Sequence, residues 1–324
     1  MNTPSVGTRV AEFGLIARIR ARAASRGDVV LGIGDDAALV QPPAGMLLAV
    51  AMDALNAGVH FPPDTAPADI GWKALAVNLS DLAAMGAMPA WCTLSLSLPD
   101  ADAGFVDGFL DGFLALAAQH DVALVGGDTT RGPLSVCVTV HGFIEPGMAV
   151  RRDGACVGDD AWVSGTLGEA AGALVQWQAG QAIDPGLRMR LDRPTPRVAL
   201  GRALRGIATA CIDVSDGLLA DLRHVCTASG VGARIDVDAL PASDGLRACF
   251  DREQQRLLLA NGGDDYELCF TAPADARDAV VRAAAVVGVP ATRIGNVVDA
   301  PGVAASTADG SAWSAPAAGW VHFP

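Results

Sequence analysis

Six places along the chain set aspartate beside glycine or after an apolar run. They are Gly32-Ile33-Gly34-Asp35-Asp36, the lone Asp53, Asn78-Leu79-Ser80-Asp81, Gly126-Gly127-Asp128-Thr129-Thr130, Asp213-Val214-Ser215-Asp216-Gly217 and Gly262-Gly263-Asp264-Asp265-Tyr266-Glu267. Any one of them can be turn or cap chemistry, because Asp and Gly favour those positions for local reasons. Six in one chain ask for more, since gathered carboxylates repel and need divalent cations to compensate. Oxygen-only ligands select Mg2+ or a similar hard ion. Zinc is disfavoured: His60, His120, His141, His224 and His322 form no ligand-spaced pair with one another or with cysteine. Carboxylate-bound Mg2+ points to phosphoryl transfer from a nucleotide. The chain has no GxxxxGK[ST] and none of the protein-kinase signatures. Lys73 is its only lysine, so a mechanism that needs one must use that residue. Gly165-Thr166-Leu167-Gly168 follows a strand and opens a helix. It offers either amides for a phosphate or a plain strand-to-helix turn.

Most of these clusters end apolar runs, which is where open α/β sheets place ligands. Helical periodicity runs through Ala11–Ala24, Asp69–Met85, Ala103–Gln119, Arg197–Arg205, Leu218–Ala228 and Asp275–Val287. Strand-like runs are Val29–Ile33, Leu47–Ala51, Thr93–Leu98, Ala123–Val125, Ser135–Phe143, Ala161–Ser164, Arg234–Val237, Glu267–Thr271 and Ile294–Val298. Leucines take every second place in Thr93–Leu98, and valines do so in Ser135–Val140. That pattern belongs to a sheet or barrel with two different faces. Helices and strands interleave, so the class is α/β or α+β. The turn-rich segment Glu145–Gly158 marks a boundary, giving domains 1–146 and 147–324. The helix at Asp69–Met85 carries only Lys73 and Asp81 as charges after its first residue, so it is expected to be largely buried. Asn78 and Asp81, three apart, share a face of it. A buried Asp81 needs a metal, a paired cation or a hydrogen bond from a neighbouring loop.

Composition narrows the partners. A 324-residue chain that is 51% hydrophobic and 18% charged is not disordered, and no apolar run spans a membrane. The net charge of −13 disfavours nucleic acid and anionic membrane surfaces. An anionic substrate would then need cations from metal or from local arginines. The arginine-rich start is read as an amphipathic helix, with a targeting peptide as the lesser alternative. Seven scattered cysteines without a CxxC read as reduced thiols, hence a cytoplasmic protein.

The motifs together resemble the thiamine-monophosphate kinase family. The matching segments are Glu12-Phe13, GIGDDAAL at 32–39, GVHF at 58–61, KALAVNLSDLAAMGA at 73–87, GGDTTRGPL at 126–134, HGF at 141–143, DVSDGL at 213–218, GARID at 232–236, GGDDYELCFT at 262–271 and the closing GWVHF at 319–323. The wider superfamily includes aminoimidazole ribonucleotide synthetase and selenophosphate synthetase. The resemblance implies ATP-dependent phosphorylation of thiamine monophosphate to thiamine diphosphate by direct in-line transfer, with several Mg2+ ions. It implies a two-domain α/β fold of the aminoimidazole ribonucleotide synthetase type. In the implied homodimer, the N-terminal strands form a shared barrel. By position it makes Asp36, Asp53, Asp81, Asp128, Asp213 and Asp216 metal ligands, with Asp128 and Asp216 catalytic. Gly127, Asp128, Arg152 and Ser215 become ATP contacts; His60, Asp264 and Trp320 become substrate contacts. The chain departs from the family pattern at Ala51-Met52, where hydroxyl residues are usual, at Asn56-Ala57, and at Asp264, where Glu is usual. Two alternatives stand beside this reading: another ATP-dependent enzyme of the superfamily with a different acceptor, and a non-catalytic Mg2+- or nucleotide-binding dimer.

Overall fold

Residues 12–314 are described by the computed structural model. They fall into two units, one of residues up to Leu82 with Met88–Glu145, the other of Ala83–Ala87 with Pro146 onward. Trp320 and the closing GWVHF lie outside the described residues.

The first unit runs α1 (Glu12–Arg22), β1 (Val29–Leu31), β2 (Leu39–Val40), β3 (Leu47–Asn56), α2 (Pro67–Ala84), β4 (Met88–Leu98), α3 (Ala103–Gln119), β5 (Ala123–Arg131) and β6 (Ser135–Ile144). β1 and β2 form a small hairpin, and the other four strands make an open sheet in the order β3-β6-β4-β5. The leucine and valine alternation is resolved as one buried face: Leu94, Leu96, Leu98, Val136, Val138 and Val140 are all at most 4% exposed. Their register locks them together, with Leu94 opposite Val138 and Leu96 opposite Val136. A one-residue slip would turn this whole row outward. α2 and α3 approach until their backbones touch: a Cβ on Gly71 would lie 2.0 Å from the Phe109 carbonyl oxygen, and one on Gly112 1.7 Å from that of Ala68. Only glycine permits that spacing. α2 opens with proline in its first turn, where the missing N–H costs nothing.

The second unit adds β7 (Asp160–Ser164), α4 (Glu169–Gln178), α5 (Pro185–Asp192), α6 (Val198–Ala203), β8 (Ala210–Asp213), α7 (Leu218–Ser229), β9 (Gly232–Asp236), α8 (Asp244–Cys249), α9 (Arg252–Asn261), β10 (Leu268–Ala272), α10 (Arg277–Val286), β11 (Ala291–Val298), β12 (Gly302–Ser306) and β13 (Ala312–Trp313). Its seven-stranded sheet has the order β13-β12-β9-β11-β7-β10-β8. β7, β8 and β10 are buried at every residue, as strands covered on both faces are. Val163, Ile212, Cys269, Leu222 and Ile235 are among the side chains that fill the core. No helix among the described residues is long and apolar enough to cross a membrane.

Two strands outrun their sequence expectation. Asp53, expected after a strand, lies inside β3, which pairs with β6 through Asn56. Asp128, expected at a strand end, lies inside β5, which stays in register with β4 as far as Arg131. Tertiary pairing carries both strands through polar residues that end a strand by propensity alone.

Candidate active site

In the first unit Asp36 is exposed in the loop between β1 and β2, its amide bonded to Asp35 Oδ1 at 2.9 Å. Asp53 sits on the edge strand β3, and its amide donates to Asn78 Oδ1 of α2 at 2.8 Å. Asn78, fully buried, also donates from Nδ2 to the Ala74 carbonyl at 2.9 Å. Asn78 thus fixes β3 against α2, and Asp81 follows it by less than one turn. The field of Asp53 reaches Cys137 on β6 and, after burial, helps to raise its pKa. Asp128 is exposed on β5, beside Ser95 in register. Gly127 before it has φ +149°, and a Cβ there would lie 1.9 Å from the Leu94 carbonyl oxygen. A small cavity of about 80 Å³ at this point is lined by residues including Ile16, Ile19, Gly127 and Asp128.

His60 accepts a bond at Nδ1 from the Asn56 amide at 3.0 Å, which leaves Nε2 to carry the proton of the neutral ring. Its carbonyl accepts from Lys73 Nζ at 3.0 Å. Lys73 is 1% exposed. The single lysine therefore ties α2 to the backbone of the GVHF segment.

The second unit brings two sequence motifs into one clasp. Loop 213–217 leaves β8 and enters α7, while 262–267 leaves α9 and enters β10. The Asp264 amide donates to the Ser215 carbonyl, and the Tyr266 amide to that of Val214, both at 2.8 Å. The Val214 amide returns a bond to the Glu267 carbonyl, also at 2.8 Å. Asp264 and Tyr266 hold φ +67° and +51°, a conformation that costs about 1 kcal/mol or more per residue and clusters at functional sites. Tyr266 Oη bonds Asp264 Oδ1 at 3.1 Å. Asp213 is 5% exposed at the end of β8, and Asp216 is half-buried. Asp221 of α7 accepts the amides of Ser215, Asp216 and Gly217. Burial, then the charges of Asp213 and Asp216, push its carboxyl up to about 7. Arg152 is exposed, and its charge is felt at Cys211 in β8, two residues before Asp213. The loop's side-chain donor set is anionic oxygen, which fits a hard divalent ion. Among the described residues no three His, Cys, Asp or Glu side chains are already gathered at ligand spacing.

The Gly165–Gly168 turn resolves its two sequence readings. The amides of Gly165 and Leu167 donate to the carbonyls of Pro290 and Pro241. The Gly168 amide donates to Asp265 at 2.9 Å. The turn is a structural joint, with no free row of amides for phosphate. Sequence reasoning missed what holds it. Glu267, fully buried, accepts from Ser164 Oγ, from Arg190 Nη2 at 2.7 Å and from Arg197 through both Nε and Nη2. A Cβ on Gly165 would lie 2.2 Å from Glu267 Oε1. Asp265 is buried beside this network, and desolvation raises its carboxyl well above the usual range. The only signal was the run of acids in one motif, which does not say which acids face inward.

The two units correspond to two family models. The AIR synthase related protein N-terminal domain matches residues 34–144, and its C-terminal domain matches 157–307. Fold and site thus define a member of the AIR synthase-related class. A crystal structure of thiamine-monophosphate kinase from Stenotrophomonas maltophilia K279a superposes with TM-score 0.87 at 57% identity, covering 94% of this chain and 99% of that one. The thiamine-monophosphate kinase of Salmonella typhimurium is 51% identical over 88% of this chain and 90% of its own. A structure described as AaThiL complexed with AMPPCP and TMP matches at TM-score 0.77 and 31% identity over 100% and 99% of the two chains. This chain belongs to the thiamine-monophosphate kinase family.

Proposed function

We propose that the protein transfers the γ-phosphoryl group of ATP to thiamine monophosphate, giving thiamine diphosphate and ADP. The observation that carries this reading is the clasp of loop 213–217 with 263–267. It gathers acidic side chains and strained backbone in one loop pair, which supports binding of an anionic nucleotide through metal ions. The acceptor oxygen belongs to a phosphate already ionised near neutral pH, so no strong general base is needed. What is needed is alignment of two anions and cancellation of their charge. Bound Mg2+ would supply that cancellation, held by Asp36, Asp53, Asp81, Asp128, Asp213 and Asp216. In this reading Asp128 and Asp216 are the catalytic carboxylates. Gly127 and Ser215 face ATP, and Arg152 adds a bidentate clamp on phosphate. His60 and Asp264 hold thiamine monophosphate, with Trp320 as a third contact.

Residues 1–146 would then bind ATP and metal and pair with a second copy, and 147–324 would complete the site. The pairing reading has support in β3. Leu48, Val50 and Met52 occupy every second position of this edge strand and are 48%, 56% and 63% exposed. A long apolar edge is a liability unless covered, and a second copy in a shared barrel would cover it. The seven cysteines are all free, which fits a reducing compartment such as cytoplasm.

Incubation with thiamine monophosphate, ATP and MgCl2, followed by chromatography, is expected to yield thiamine diphosphate, and EDTA is expected to abolish it. ATP binding without product, or product undiminished by EDTA, would overturn the reading.

A further inference from the structure

Loop 213–217 is gripped from two sides. One side is the backbone clasp with Asp264, Tyr266 and Glu267. The other is a single atom: Asp221 Oδ2 accepts the amides of Ser215, Asp216 and Gly217 at 3.0, 3.1 and 3.1 Å. Three successive amides converging on one point form the concavity that binds phosphate in glycine-rich loops. Here the chain's own carboxylate fills it, from a residue 3% exposed in the first turns of α7. The backbone is shaped for this, since Gly217 has φ +121° and a Cβ on it would lie 2.6 Å from the Asn261 carbonyl oxygen.

We propose that Asp221 is a positioning residue that removes the amides of this loop from ligand binding. The loop then meets its ligands through oxygen alone, from the carboxylates of Asp213 and Asp216 and the hydroxyl of Ser215. That makes the loop's carboxylates selective for cations, with ATP phosphates reached through those cations and by the Ser215 hydroxyl. The kinetic consequence rests on the kinase reading above; the structural part does not.

The test uses the full chain. Amide hydrogen exchange, measured without nucleotide or metal, is expected to show Ser215, Asp216 and Gly217 protected. Asp221→Ala is expected to speed their exchange by about tenfold or more, because the three amides lose their common acceptor. Asp221→Asn keeps an acceptor oxygen in place and is expected to retain most of the protection. In turnover assays the Mg2+ concentration for half-maximal rate is expected to rise about tenfold in Asp221→Ala. KM for thiamine monophosphate is expected to move little, and Asp221→Asn is expected to restore the Mg2+ response. The proposal is overturned by unprotected wild-type amides, by an unchanged Mg2+ response in Asp221→Ala, or by an asparagine variant as impaired as the alanine one. If the alanine variant does not fold, wild-type exchange and Asp221→Asn decide the matter. Exchange requires no turnover, so its outcome is separate from that of the kinase reading.

Discussion

Glu267→Gln is the substitution that tests the buried network most directly. The Glu267 carboxylate has no exposed surface and receives two bonds from Arg197, one from Arg190 and one from Ser164. Glutamine has nearly the same shape but only one oxygen, so about half of these bonds survive. With the amide nitrogen in place of Oε1, the two lost bonds come from Arg190 and Arg197, roughly 1.5–3 kcal/mol each or about 3–6 together; in place of Oε2 they come from Ser164 and Arg197, about 2–4.5 together. Breaking a buried ion pair from one side typically costs about 3–5 kcal/mol, so the two routes agree near 4. With a urea slope of about 3 kcal/mol/M, the midpoint should fall by roughly 1–1.5 M. Urea titrations followed by circular dichroism would measure this shift. A double-mutant cycle with Arg197→Met should show coupling of about 1 kcal/mol or more. A midpoint shift under about 0.3 M, or no coupling to Arg197, would refute the claim that this carboxylate organises α5, α6 and the end of β7.

Acid stability should depend on Asp160. Bonds from Arg277, and then the charges of Arg277 and Arg293, hold its carboxyl below the usual range in the folded state. Its contribution is therefore present above the unfolded pKa and lost as pH falls through the folded one. Arg277→Ala should move the acid-unfolding midpoint to higher pH, read by circular dichroism; an unmoved midpoint would count against the pair. The β3 edge makes a second prediction. The wild type should run as a dimer of 33.0 kDa chains in light scattering, and Val50→Lys should shift it towards monomer. A monomeric wild type would remove the dimer reading of this strand.

The motifs at 213–217 and 262–267 stood out in the sequence, and the structure clasps these two segments together through their backbones. The alternating leucines and valines of β4 and β6 are buried as their spacing requires, since a period of two has one solution on a half-covered sheet. The short helices α5 and α9 were not legible, because polar residues dominate them and their starts depend on Asp184 and on an Asp251–Gln254 capping box. Within GGDDYE the sequence cannot rank its acids. Asp264 bends back to Ser215, Asp265 turns inward to Gly168, and Glu267 is consumed by two arginines contributed by α5 and the residue before α6. Those arginines lie some seventy residues away in the chain. Asp221 was equally hidden, because its role exists only once α7 turns its first residues back over the loop.

The burial of Lys73 has a practical consequence for chemical probing. Every other cationic side chain of the lysine or arginine type is a guanidinium, which amine acylation does not touch. The one side-chain amine is 1% exposed and tied to the His60 carbonyl. An acylating reagent therefore reaches Lys73 only when α2 lifts away from the GVHF segment. The rate of modification at this position becomes a clock for local opening, and ligands that settle on that segment should slow it.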